Sequence, residues 1–109
     1  MKALLMTVAA AGTLMLAGQA SAAVDAKAAE ALAQKSGCLA CHGIDKKVIG
    51  PSYKDIAAKY KGDKGAEVKL IAKVKNGGSG VWGPIPMPPN SPLVKDADIK
   101  TLVQWVLSM

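Results

Sequence analysis

Apolar residues recur at helical spacing in four stretches of the chain, and nowhere at the spacing of a strand. The clearest stretch is the last. In KDADIKTLVQWVLSM, Ile99, Leu102, Val103 and Val106 fall at i, i+3, i+4 and i+7, one face of a 3.6-residue period. GAEVKLIAKVKNGG sets Leu70, Ile71 and Val74 on one face and closes at Asn76-Gly77, a helix-stop pair. GPSYKDIAAKYKG is a shorter helix. Its Ser52 stands three residues before Asp55, the spacing of a side-chain cap, and Gly62 ends it. VDAKAAEALAQKSG has Asp25 as its cap, a stripe of Ala28, Ala29, Leu32 and Ala33, and Gly37 as its stop. No segment alternates at period two and no repeat is present. The pattern therefore predicts an all-α domain of about four helices.

Between the third and fourth helices lies an interval that fits neither period. Gly77 to Asn90 contains four glycines (77, 78, 80, 83) and four prolines (84, 86, 88, 89). Neither helix nor strand runs through such a sequence. So long a loop in so small a domain points to function. At its centre, stiffened by prolines on both sides, stands Met87, ordinarily the most pliable of apolar side chains.

The first residues change the length to be reasoned about. MKALLMTVAAAGTLMLAGQASA has a positive Lys2, an apolar run from Ala3 to Leu16, and small residues ending in Ala20-Ser21-Ala22. This is the three-part order of a secretory signal peptide, spanning residues 1–22. The competing reading, an uncleaved membrane anchor, is disfavoured because the run is shorter than the ~20 residues a span requires. The expected mature product is one domain, residues 23–109, exported to the periplasm and without an integral membrane segment. Loss of Lys2 leaves thirteen lysines against eight acidic residues, a formal +5, with no arginine anywhere. Arginine is the residue of bidentate phosphate recognition, and lysine a mobile point charge. With no aromatics interleaved for base stacking, a nucleic-acid partner is excluded. The charge suits a diffuse positive face. The domain is also short of core material: it has no phenylalanine, and its aromatics are Tyr53, Tyr60, Trp82 and Trp105. Domains of this size often rely on a metal or cofactor.

Candidate chemistry lies in five residues, Cys38-Leu39-Ala40-Cys41-His42, which hold both cysteines and the one histidine of the chain. C-x-x-C-H is the attachment pattern of c-type haem. Two thiols add to the haem vinyl groups, and the histidine ligates the iron from the proximal side. Three other readings attach to the same residues. Structural zinc needs four ligands, and no second pair exists. A thioredoxin-like redox pair needs a βαβ surround. A plain structural disulfide suits an oxidising compartment. Haem also supplies the missing core. Beyond residue 22 only Met87 and the terminal Met109 remain, so Met87 is the methionine that a fold would hold in place. It is the candidate second axial ligand to the iron; the alternative is simple core filling. A soft thioether favours ferrous iron and raises the reduction potential. Proline lowers the entropy lost when its loop is ordered.

GCLACHGIDKKVIGPSYKDIAAKY, NGGSGVWGPIPMPPN and LVQWVL together resemble the small bacterial class I c-type cytochromes, the cytochrome c-551/c-552 group, over nearly all of residues 25–109. The resemblance implies an all-α cytochrome c fold around one covalently bound haem c, and a periplasmic electron carrier rather than an enzyme. Its role would be to pass electrons between respiratory complexes and a terminal reductase or oxidase, in some relatives nitrite reductase. Carried onto this chain, Cys38 and Cys41 are the thioether cysteines, and His42 and Met87 the axial iron ligands. Pro51 would orient His42 through its carbonyl, Trp82 would lie near a haem propionate, and Asn90 would hydrogen-bond near the methionine sulfur. For Trp82 and Asn90 the alternatives are ordinary packing and a turn residue. Two features depart from the group: no aromatic in the first helix, and lysines such as Lys73 where some relatives have arginine near a propionate. A haem enzyme, a gas sensor with an open iron position, or a docked subunit of a larger oxidoreductase are the other functional classes. The expected partners are redox proteins with acidic docking surfaces, met by a monomer. Lys46, Lys47, Lys73 and Lys75 are the steering candidates, with Val81 and Ile85 as the apolar alternative.

Overall fold

The computed structural model describes residues 24–109. The expected signal peptide and its cleavage junction lie outside them. Four α-helices follow in order: α1 Ala26–Lys35, α2 Tyr53–Lys59, α3 Ala66–Asn76 and α4 Asp96–Leu107, with a 3₁₀ turn at Cys38–Ala40 after α1. Among the described residues there is no strand; only two isolated bridges occur, His42 with Lys47 and Gly78 with Met87.

The starts of α1 and α2 follow their side-chain caps. The Asp25 carboxylate accepts from the N–H groups of Lys27 and Ala28, and the Ser52 hydroxyl accepts from Asp55 N–H at 3.1 Å. Each satisfies donors that a first turn leaves without partners. Gly37 ends α1 in the left-handed region at φ 81°.

α4 is the central element, and α1, α2 and α3 all pack on it. Its expected face, Ile99, Leu102, Val103 and Val106, is buried throughout. Trp105, outside that four-residue pattern, is buried as well and joins Tyr53, Leu102, Val106, Ala29 and Ala33 in the core. Ala29 and Ala33 have no exposed surface, and their small size lets α1 lie close to α4. The α1 stripe is narrower than the sequence pattern suggests: Ala28 is exposed and Leu32 only partly buried. In α3 the face of Leu70, Ile71 and Val74 is likewise only half buried. Leu70 and Val74 look onto a cleft instead of a closed core.

Candidate functional site

The cleft is built from two walls. The first is the pentapeptide. The amides of Cys41 and His42 both donate to the Cys38 carbonyl, at 3.2 and 3.0 Å. This winding turns Cys38, Cys41 and His42 toward one space. The chain then returns along the same turn, with Ile49 N–H and Gly50 N–H donating to the Cys41 carbonyl at 3.1 and 2.8 Å. Gly50 passes so close to the imidazole that a Cβ there would lie 2.7 Å from His42 Cε1.

One residue further on, the Pro51 carbonyl lies 2.7 Å from His42 Nδ1. A carbonyl only accepts, so Nδ1 carries the proton and Nε2 presents its lone pair. Nε2 has no protein partner among the described residues, yet it is not a sealed, unsatisfied atom. On a buried histidine that lines the cleft, this is the state of a metal-ligating imidazole.

The second wall is the proline-rich loop. Gly78 and Met87 exchange both backbone hydrogen bonds, at 3.0 and 2.8 Å. Gly77 adopts φ 73°, and a Cβ there would run into the Met87 carbonyl oxygen. Only glycine fits both demands. Asn90 fastens the far end: its N–H donates to the Val74 carbonyl at 3.0 Å, and its side-chain amide donates to the carbonyls of Val74 and Pro88 at 3.2 and 3.3 Å. Pro88 directly follows Met87, so these bonds hold Asn90 beside the candidate ligand. The Asn90 amide is occupied by two main-chain carbonyls, and it ties the loop to the end of α3.

Cys38, Cys41, His42 and Met87 line the same cleft, and Pro51 stands where the resemblance places it. Met109 lies away from it, at the chain end. Trp82 is at the mouth, 45% exposed, with the Lys59 ammonium 5.7 Å from its ring centre. The floor is apolar, supplied by Leu102, Val103 and Val106 of α4. The cleft is partly open to solvent and lined mainly by apolar side chains. Lys73 is the one charged side chain on the wall among the described residues. A large, flat, mainly apolar group held by two sulfurs and an imidazole fits this space.

The competing readings of the pentapeptide fit less well. Burial pushes the Cys38 thiol up from its ordinary pKa, whereas redox-active cysteines are held low. The surround is helical, not βαβ. No cluster of three or more His, Cys, Asp and Glu side chains suited to a metal ion occurs among the described residues, so structural zinc lacks its ligands.

The family profile for cytochrome c matches residues 26–109. The chain belongs to the cytochrome c family. It is 50% identical over 104 residues to cytochrome c-551 of Pseudomonas aeruginosa, covering 95% of this chain and 93% of that protein. With cytochrome c-552 of Nitrosomonas europaea it shares 50% over 100 residues, 92% of this chain and 90% of that one. The crystal structure of Nitrosomonas europaea cytochrome c552 superposes with a TM-score of 0.69 at 53% identity, over 72% of this chain and 96% of that chain. The class 1 cytochrome MtoD of Sideroxydans lithotrophicus superposes at 0.70 with 40% identity, over 79% and 97%. This cytochrome is thus a small class I c-type protein, an electron carrier and not an enzyme. Its cofactor is one covalently bound haem c with its iron. No helix among the described residues is long and apolar enough to cross a membrane.

Two residues that line the cleft carry no sequence signal for it. Gly50 carries no pattern of its own. Tyr53 reads as the first apolar residue of a helix, yet its ring stacks on His42 with centroids 5.2 Å apart.

Proposed function

We propose that this cytochrome is a monomeric, periplasmic one-electron shuttle, exported by residues 1–22. Its haem is held by thioethers to Cys38 and Cys41 and by the axial ligands His42 and Met87. One observation carries the ligand assignment: both cysteines, an imidazole with Nε2 free, and a backbone-anchored methionine line a single apolar cleft. When bound, the haem supplies reversible one-electron exchange at iron. The protein supplies constancy. Pro51 holds the His42 tautomer, and Gly78 and Asn90 hold the backbone around Met87. Ligands so fixed favour transfer with little rearrangement. The anchored Met87 also speaks against an enzyme or gas sensor with an open iron position.

The partners are a respiratory donor and a terminal reductase or oxidase, with nitrite reductase a candidate acceptor. Docking is assigned to the cleft mouth. Lys46 and Lys47 are exposed and are candidate steering charges, with Lys73 on the cleft wall. Lys75 is drawn off by Asp96 at 3.2 Å and contributes less. Val81, Trp82 and Ile85 are exposed at the same mouth, 45–63% accessible, which gives the contact an apolar centre.

Met87→Ala is the test. It should lower the reduction potential, abolish the sulfur-to-iron charge-transfer band of the oxidised protein and admit carbon monoxide to the reduced one. An unchanged band removes Met87 from the iron. Cys38→Ala and Cys41→Ala should each impair covalent haem attachment; two variants with fully normal attachment would end the thioether assignment.

A further inference from the structure

Tyr53 belongs to the core and to the cleft at once. It is 6% exposed. One side of its ring faces His42, with the planes inclined by 21°. Its edge meets Trp105 of α4, centroids 5.4 Å apart and planes at 71°. Both aromatic geometries are favourable ones. The backbone repeats the connection. Tyr53 is the first residue of α2, and its N–H, a donor that helix geometry leaves free, reaches the carbonyl of Gly43 at 2.8 Å. Gly43 directly follows His42.

The imidazole therefore has three constraints. The Pro51 carbonyl fixes the direction of Nδ1. A hydrogen bond along that direction leaves the ring free to rock about it. Gly50 limits the ring at Cε1. Tyr53 covers a face and is itself immobilised by Trp105. A close-packed neighbour admits little rotation.

We infer that Tyr53 is a positioning residue for the proximal ligand: its ring sets the plane of the His42 imidazole, and Trp105 sets Tyr53. This rests on the assignment of His42 to the iron. With haem bound, the plane of the His42 imidazole, together with the orientation of the sulfur ligand's lone pair, would set the orientation of the iron orbital that holds the unpaired electron in the oxidised protein. The pattern of haem-methyl proton shifts reads that orientation, and general loss of stability does not rotate it.

The experiment is nuclear magnetic resonance on the haem-loaded protein. In the reduced wild type, His42 ring protons should be moved strongly upfield by the macrocycle and should show cross-relaxation with Tyr53 ring protons. His42 protons at ordinary shifts would refute the ligand assignment itself. Upfield His42 protons without Tyr53 contacts would overturn the inference alone, with no variant needed. In the oxidised protein, Tyr53→Phe should keep the wild-type order and spread of haem-methyl shifts, because the ring remains. Tyr53→Leu should change that pattern while the sulfur-to-iron band persists. A wild-type pattern in Tyr53→Leu, or an altered one in Tyr53→Phe, would assign Tyr53 to the core only.

Discussion

Gly50→Ala puts a methyl group against the His42 imidazole. At most glycines that do not use a left-handed backbone, and Gly50 does not, alanine stabilises by about 0.4–1 kcal/mol through the unfolded chain. Here the new Cβ would lie 2.7 Å from His42 Cε1 and 3.1 Å from Nδ1, where ordinary contact begins at 3.4 Å. The neighbour is a ring held at Nδ1 by Pro51 and faced by Tyr53, so it has no easy retreat. Overpacking of a tight site costs about 1–3 kcal/mol. If the imidazole yields, the Nδ1 hydrogen bond weakens, at a further cost of about 0.5–1.5 kcal/mol. The clash outweighs the entropic gain, and the expected result is a net loss of about 1–3 kcal/mol. For a domain of this size that lowers Tm by roughly 5–20 °C. The reduction potential should rise as well, since a weaker Nδ1 hydrogen bond makes the imidazole a poorer electron donor. Thermal unfolding of the haem-loaded variant, followed by circular dichroism, and an equilibrium redox titration measure the two effects. An equal or higher Tm with an unshifted potential would mean that the chain at Gly50 does not press on the imidazole.

Asn90→Ala should cost about 1 kcal/mol, at the lower end for two lost bonds, because the Val74 carbonyl keeps the Asn90 N–H and is not orphaned; denaturant unfolding tests this, and loss of the sulfur-to-iron band should precede global unfolding. Asp63 is held below its ordinary pKa of 3.8 by the Lys69 ammonium and the Gly65 N–H. A lowered folded value gives stability that is complete above the unfolded value and lost as pH falls through the folded one. Asp63→Asn should thus be less stable than wild type at neutral pH, with the gap closing below about pH 3.8; a gap constant down to pH 2 would refute the ion-pair account. The second-order rate with an acidic redox partner should fall as salt rises, since exposed charges are screened over about 8 Å at physiological ionic strength. A flat profile would assign docking to Val81, Trp82 and Ile85 alone.

The helices could be read from the sequence because their signals are local. Asp25, Ser52 and the period of α4 act within a few residues, and the structure follows them. C-x-x-C-H is local too, so three of the four candidate haem-holding residues stand within five positions. The fourth, Met87, is legible only by elimination and by the stiffness of its surroundings. What could not be read are approaches between segments distant in sequence. Gly50 against His42 and Tyr53 between His42 and Trp105 have no periodic mark. The bonds of Asn90 are of the same kind, because they depend on where the end of α3 places the Val74 carbonyl. The half-buried face of α3 has the same origin. Leu70 and Val74 are apolar for a surface that the polypeptide does not supply, and a period count reads them as core.

The proline-rich loop has two duties that would conflict in a uniformly flexible segment. On the proposed assignments it must keep the Met87 sulfur in place as a weak ligand and also offer a surface that partners touch and leave. The structure separates them along the loop. Its two ends are fastened, by the paired Gly78–Met87 bonds and by Asn90 on Val74. The part between them carries Val81, Trp82 and Ile85 outward and is tied across the mouth by Lys59 over the Trp82 ring. A cation–π contact at an exposed site is worth only about 0.5–1 kcal/mol, so this middle portion can adapt to a partner. Beside Met87 stand the two backbone bonds it exchanges with Gly78 and a glycine, Gly77, whose position admits no side chain. Force applied at the mouth therefore meets a soft contact before a stiff one. On those assignments Met87 would keep its place while the surface adjusts, as a carrier that exchanges partners at every turnover requires.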